Sequence, residues 1–136
     1  MSKSRELAEA YMQVWSVGNL SLLDSLAAPN LWVDYSHFPA PVEGIEQFKA
    51  ILRQTHASFP DLVLHVEEVF GLDHKVTVRW RYHGTHRHGK VFDIAPTGKH
   101  VHVTGISILE IANHKVHAER GIVDNFSLLH QLQSGE

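Results

Sequence analysis

No cysteine occurs among the 136 residues, which excludes a disulfide frame, a thiolate nucleophile and any cysteine-ligated metal. There is no cluster of lysines and arginines, and the formal net charge is -3; the chain therefore offers no electrostatic footprint for nucleic acid. No apolar run is long enough to span a bilayer, so no membrane partner is expected. The first residues, Met1 to Glu6, lead straight into an amphipathic pattern instead of an apolar signal core, and the expected location is the cytoplasm. Internal repeats and low-complexity linkers are absent too. With 43% apolar and 20% charged residues, the composition is that of a single folded domain covering residues 1–136.

What the chain has in excess is histidine, twelve residues, each able to titrate near neutrality. From Ser4, the residues Leu7, Ala8, Tyr11, Met12, Val14 and Trp15 recur at helical spacing, and Gly18-Asn19 stops that helix. Asn19 is a plausible N-cap for a short segment from Leu20 to Ala27, closed by Pro29. Leu31 to Tyr35 is rich in strand formers. Gly44 opens a second long helix with Ile45, Phe48, Ile51, Leu52, Thr55 and Phe59 on its buried side, and Pro60 ends it. The remainder reads as strands: Leu62 to Phe70, Lys75 to His83, Val101 to Ile111 and Val116 to Asp124, with a last short helix from Asn125 to Gln133. Helices first and antiparallel strands afterwards predict an α+β domain with helices packed on one face of a sheet.

The excursion between the second and third of these strands carries Gly84-Thr85-His86, then Gly89, then Pro96-Thr97-Gly98-Lys99. Together with Phe59-Pro60-Asp61-Leu62 and the closing Val123-Asp124 and Leu128-Leu129-His130-Gln131-Leu132, this pattern resembles the SnoaL-like polyketide cyclases, a family with the cone-shaped α+β fold of ketosteroid isomerase and nuclear transport factor. The resemblance covers almost the whole chain. It implies a curved antiparallel sheet wrapped around N-terminal helices, an apolar pocket, metal-free and cofactor-free chemistry, and a homodimer or homotetramer. It does not imply one reaction, because this fold hosts many activities.

By this resemblance Asp124 takes the place of the family's general acid/base, and His102 that of a histidine that polarises a substrate carbonyl. A carboxylate partly desolvated at the end of an apolar strand can exchange protons near neutrality; the other reading of Asp124 is a cap on the terminal helix. His102 shares a strand face with Thr104, Ile106 and Ile108. Tyr11, Trp15, Tyr35, His37, Phe48 and Thr104 are candidate pocket residues, and Arg120 would suit an anionic or carbonyl-rich ligand. Arg79, Arg81 or Arg120 could serve an epoxide hydrolase arrangement of the kind found in this fold. His83, His86, His88, His100 and His102 lie close enough across the hairpin to raise zinc ligation, against which stands the family's metal-free chemistry. The expected activity is acid/base catalysis on a small, apolar, carbonyl-bearing ligand, by cyclisation or isomerisation. The alternative is a non-catalytic module of the same fold that holds an apolar small molecule, or that pairs subunits or docks a protein through an outer strand face, for which Val76, Val78, Trp80 and Tyr82 are apolar enough if they face that way.

Overall fold

The computed structural model of the chain describes residues 3–134. Helix α1 (Lys3–Met12) runs into a single 3-10 turn (Gln13–Trp15), and its predicted apolar stripe buries Ala8, Tyr11 and Met12. Helix α2 (Leu22–Leu26) is shorter than its sequence suggests. Asn19 does not cap it with its side chain, which donates to the Gln13 carbonyl at 3.1 Å. Strand β1 (Ala27–Tyr35) starts where the helix was expected to continue, and Pro29 lies inside it. The pairing of β1 is interrupted between Ala27 and Trp32, an irregularity in which a residue without an N–H can sit.

A two-residue strand, β2 (Val42–Glu43), pairs with β1 and is too short to register as a sequence pattern. Helix α3 (Ile45–Ser58) buries Ile45, Phe48 and Leu52 and stops at Phe59, as the following proline requires. Strands β3 (Val63–Leu72), β4 (Lys75–Thr85), β5 (His100–Ala112) and β6 (Lys115–Val123) form an antiparallel meander, and α4 (Asn125–Gln133) follows. The six strands lie in the order β2-β1-β6-β5-β4-β3, with β1 and β6 parallel. The sheet is curved and unclosed, and α1 and α3 pack into its concave side.

Alternation decides which side chains reach that concave face. On β4 they are Val76, Val78, Trp80 and Tyr82; the first three are almost fully buried. This corrects the expectation that these four could form an outer docking face. On β6, Val116 and Glu119 are both fully buried although they are three residues apart. Strict alternation would separate them, and a register shift against β5 between Glu110 and Ile111 supplies the extra residue. The bulge turns Gly121 and Val123 inward and leaves Arg120, Ile122 and Asp124 outside.

Candidate functional site

The concave face encloses a cavity of about 250 Å³ between α3, the sheet and the loop after β4. Trp15, Tyr35, Phe38, Phe59, Trp80 and Tyr82 supply aromatic walls, and Ile51, Leu62, Leu64, Val123 and Leu128 fill the gaps between them. His37 and Lys90 are the ionisable nitrogen groups on the lining, and among the described residues no aspartate, glutamate or arginine reaches it.

Directly behind these walls sits a polar cluster that a sequence reading does not anticipate. Glu119 is fully buried. Its Oε1 accepts from the Tyr11 hydroxyl at 2.6 Å and its Oε2 from Trp15 Nε1 at 3.0 Å. The Tyr35 hydroxyl also donates to Oε2. Ser107 Oγ lies 2.7 Å from the Tyr35 hydroxyl and accepts from Trp80 Nε1 at 2.9 Å. Since Tyr35 gives its hydrogen to Glu119, Ser107 gives its own to Tyr35, and every polar hydrogen in the cluster has an acceptor. Burial raises the Glu119 pKa, an effect opposed by the hydrogen bonds from Tyr11, Tyr35 and Trp15. Burial, and then the neighbouring Glu119, push both tyrosines well above their usual range, so they stay protonated as donors. One carboxylate and one serine hydroxyl thereby fix the orientation of three of the rings that line the cavity.

Two glycines make room for those rings. Gly105 pairs with Trp80 across β4 and β5, and a Cβ there would lie 2.3 Å from the indole. Gly121 pairs with Tyr35 across β1 and β6, and a Cβ there would lie 2.2 Å from the phenol ring. Each ring therefore lies flat over the neighbouring strand.

The loop from His86 to Lys99 covers the other side. Its anchor is the fully buried His86, whose Nε2 donates to the Gly89 carbonyl at 2.7 Å. The His86 backbone N–H donates to the Lys99 carbonyl at 2.9 Å, and the Gly98 N–H to the His86 carbonyl at 2.8 Å. The loop so tied carries Lys90, Val91 and Phe92 over the cavity.

The expected site residues divide between the two faces of the sheet. Trp15, Tyr35 and His37 line the cavity; Tyr11 stands behind it on Glu119, and Phe48 packs behind Trp15 at a ring distance of 5.4 Å. Desolvation lowers the pKa of His37, which favours a neutral imidazole at neutral pH. Asp124, His102, Thr104 and Arg120 lie on the outer face, because the residues that alternate with them, Val101, Val103, Ser107 and Glu119, take the buried side. Asp124 caps α4, its Oδ1 accepting from the Ser127 N–H at 3.0 Å. The backbone of His102 is held by Gln131, which accepts from its N–H at 2.9 Å and donates to its carbonyl at 2.7 Å. Arg120 pairs with Glu110 at 2.6 Å and lies over the Trp32 ring. Arg79 and Arg81 pair with Glu68 and Glu67, also outside, so among the described residues no arginine joins carboxylates in the cavity as an epoxide hydrolase arrangement would need.

The histidines are divided too. His86 is internal, whereas His83, His100 and His102 join His65 on the outer face with neighbouring ring distances of 5.1 to 5.7 Å. Among the described residues no group of three or more histidines, aspartates or glutamates is placed to hold a metal ion.

Comparison with solved structures supports the architecture. A candidate SnoaL-like polyketide cyclase from Jannaschia sp. CCS1 superposes with a TM-score of 0.81 at 22% identity, covering 96% of this chain and 93% of that one. IdmH, a candidate polyketide cyclase from Streptomyces antibioticus, gives a TM-score of 0.79 at 22% identity, covering 98% and 100%. A protein from Catenulispora acidiphila described as having a ketosteroid isomerase-like fold, in complex with trimethylamine, gives 0.78 at 17% identity, covering 93% and 91%. No curated protein sequence matches significantly. At the level of sequence, the family model for SnoaL-like polyketide cyclases matches residues 5–132, nearly the whole chain, and the protein belongs to that family.

Proposed function

We propose that the protein is a polyketide cyclase-type enzyme that binds a small, flat, carbonyl-bearing ligand in the concave cavity and moves a proton on it through His37. The observation that carries this reading is the chemistry of the lining: aromatic and aliphatic walls, with a largely neutral imidazole at the mouth whose side chain has no hydrogen-bond partner among the described residues. A cavity of roughly 150 Å³ takes one benzene ring; about 250 Å³ suits a ligand of two fused rings. His37 removes a proton alpha to the carbonyl, and the electron pair moves to the carbonyl oxygen. The enolate then either takes the proton back at another carbon or adds through carbon to a second carbonyl of the same molecule, whose oxygen receives the proton from His37. Atoms and charge balance with no cofactor.

The test is deuterium exchange at the alpha carbons of 2-tetralone in D₂O, followed by NMR. Protein-catalysed exchange is expected, and His37→Gln, which keeps a polar side chain but cannot titrate, should lower it by about 10²- to 10⁴-fold with the fold intact. The rate should fall at acid pH only below the ordinary histidine value of about 6.5, since the lowered pKa keeps the base form present to lower pH. Exchange unchanged in His37→Gln would sink the proposal.

A further inference from the structure

Besides the His37 imidazole, four rings among the described residues of the cavity wall carry a polar hydrogen: Trp15, Tyr35, Trp80 and Tyr82. The first three are committed, to Glu119, to Glu119 again and to Ser107. The fourth is not. Tyr82 follows Trp80 on the inward face of β4, stacks against it at a centroid distance of 6.0 Å and meets Phe59 edge-on at 6.3 Å. Neither neighbour offers its hydroxyl an acceptor, and among the described residues that hydroxyl makes no hydrogen bond. Thr55 of α3, also on the lining, gives its hydroxyl hydrogen to the Ile51 carbonyl at 3.0 Å and makes no bond to Tyr82. Tyr82 is only half-buried, so in the empty cavity water can take the place of a protein acceptor, and a bound carbonyl or enolate oxygen would replace that water.

We propose that the Tyr82 hydroxyl is the cavity's ligand-reading donor, and that it selects ligands carrying a carbonyl or enolate oxygen over hydrocarbons of the same shape. The inference rests on the reading of the cavity as a ligand site and adds to it the group that holds the oxygen. Burial pushes the Tyr82 phenol well above its usual range, so it keeps its proton at any working pH and acts by donating a hydrogen bond. The proton that moves remains the business of His37. As charge gathers on the ligand oxygen, a hydrogen bond from a desolvated phenol strengthens. Tyr82 thereby stabilises the enolate more than the ketone, and its loss would be felt in turnover beyond its effect on binding.

The experiment compares 2-tetralone with tetralin, which has the same rings and no oxygen, in the wild type and in Tyr82→Phe. The variant removes one oxygen that bonds to nothing in the protein, so it should fold; a thermal melt verifies this. Affinity for 2-tetralone should fall by roughly two- to tenfold in Tyr82→Phe, while affinity for tetralin changes by less than about twofold. In the infrared spectrum the carbonyl stretch of bound 2-tetralone should lie at lower frequency in the wild type than in the variant. The same stretch in both proteins, or equal loss of affinity for both probes, overturns the role given to Tyr82 and leaves the cavity a ligand site. Failure of both probes to bind the wild type overturns the cavity reading itself, and this inference with it.

Discussion

Strands β5 and β6 present two faces of equal length and opposite character. Inside, Ser107 and Glu119 hold their polar atoms in a closed set of hydrogen bonds beneath an apolar cavity. Outside, Ile106, Ile108 and Ile122 are exposed beside a solvent-exposed ion pair, Arg120 with Glu110, with Ile122 at 65% and Phe126 of α4 at 82% exposure. Polar residues within are few, and each is indispensable to several neighbours. Those without are numerous and nearly independent. The difference follows from the medium: an unpartnered donor costs a great deal where water is excluded and little where water can replace the partner.

Substitution should expose this asymmetry. The largest effect is expected at Glu119. Glu119→Ala leaves the Tyr11, Tyr35 and Trp15 donors without their acceptor, at a cost of about 3 to 5 kcal/mol. Against a domain stability of about 5 to 15 kcal/mol, this is a large fraction, and urea denaturation should show a strongly lowered midpoint for the variant. Arg120→Ala, which breaks the outer pair with Glu110, should cost about 1 kcal/mol or less. Equal midpoints for the two variants would erase the distinction between the faces. Next comes Gly105→Ala. Its Cβ would overlap the Trp80 ring, and overpacking of this kind costs about 1 to 3 kcal/mol. The displaced indole should alter the near-ultraviolet circular dichroism.

The asymmetry also explains what the sequence could and could not reveal. Periodicity located α3 and the four meander strands, because their apolar residues repeat at the spacing of the element. Alternation correctly grouped His102 with Thr104, Ile106 and Ile108. It could not say which group faces inward, since β5 carries aliphatic residues on both sides, Ile106 and Ile108 on one and Val101, Val103 and Leu109 on the other. Glu119 escaped notice because a glutamate between Ala118 and Arg120 reads as a surface residue; its donors lie more than 80 positions away. The cross-strand pairing of Gly105 with Trp80 and of Gly121 with Tyr35 was a usable signal, visible only once the register is known.

A smaller effect is expected from pH, and it belongs to the outer face. Desolvation first, and then the nearby His100, His65, His102 and Arg81, lower the pKa of His83. Its ring lies 3.1 Å from His100 Nε2 and 3.2 Å from His65 Nε2. On the other side of His100, burial opposes the Asp61 charge, yet the Thr85 backbone and hydroxyl bonds and the nearby His100 hold that carboxyl below its usual range. A folded-state pKa below the unfolded one gives stability that is present above the unfolded value, about 6.5 for histidine, and is lost as pH falls through the folded value. The melting temperature should therefore decline from pH 7 toward pH 5.5, and His83→Gln should make that decline shallower. An identical slope in the variant would show that the cluster is too well solvated to matter.

The smallest expected effect is also the most direct trial of the division between faces. Asp124→Asn keeps an N-cap of nearly equal quality, because an asparagine oxygen can accept from Ser127 N–H as the carboxylate does. Stability should change by no more than a few tenths of a kcal/mol. What the substitution removes is the ability to exchange a proton. If Asp124 serves only to start α4, exchange at 2-tetralone should equal that of the wild type while His37→Gln abolishes it. Should Asp124→Asn lose exchange with an unchanged melting temperature, proton transfer would have to be assigned to the carboxylate that the family resemblance pointed to. The outer groove, whose wall includes Asp124, Thr104, Arg120 and His37, would then become the place to look for the ligand. His37 borders both spaces, so the paired variants, and not His37→Gln alone, decide between them.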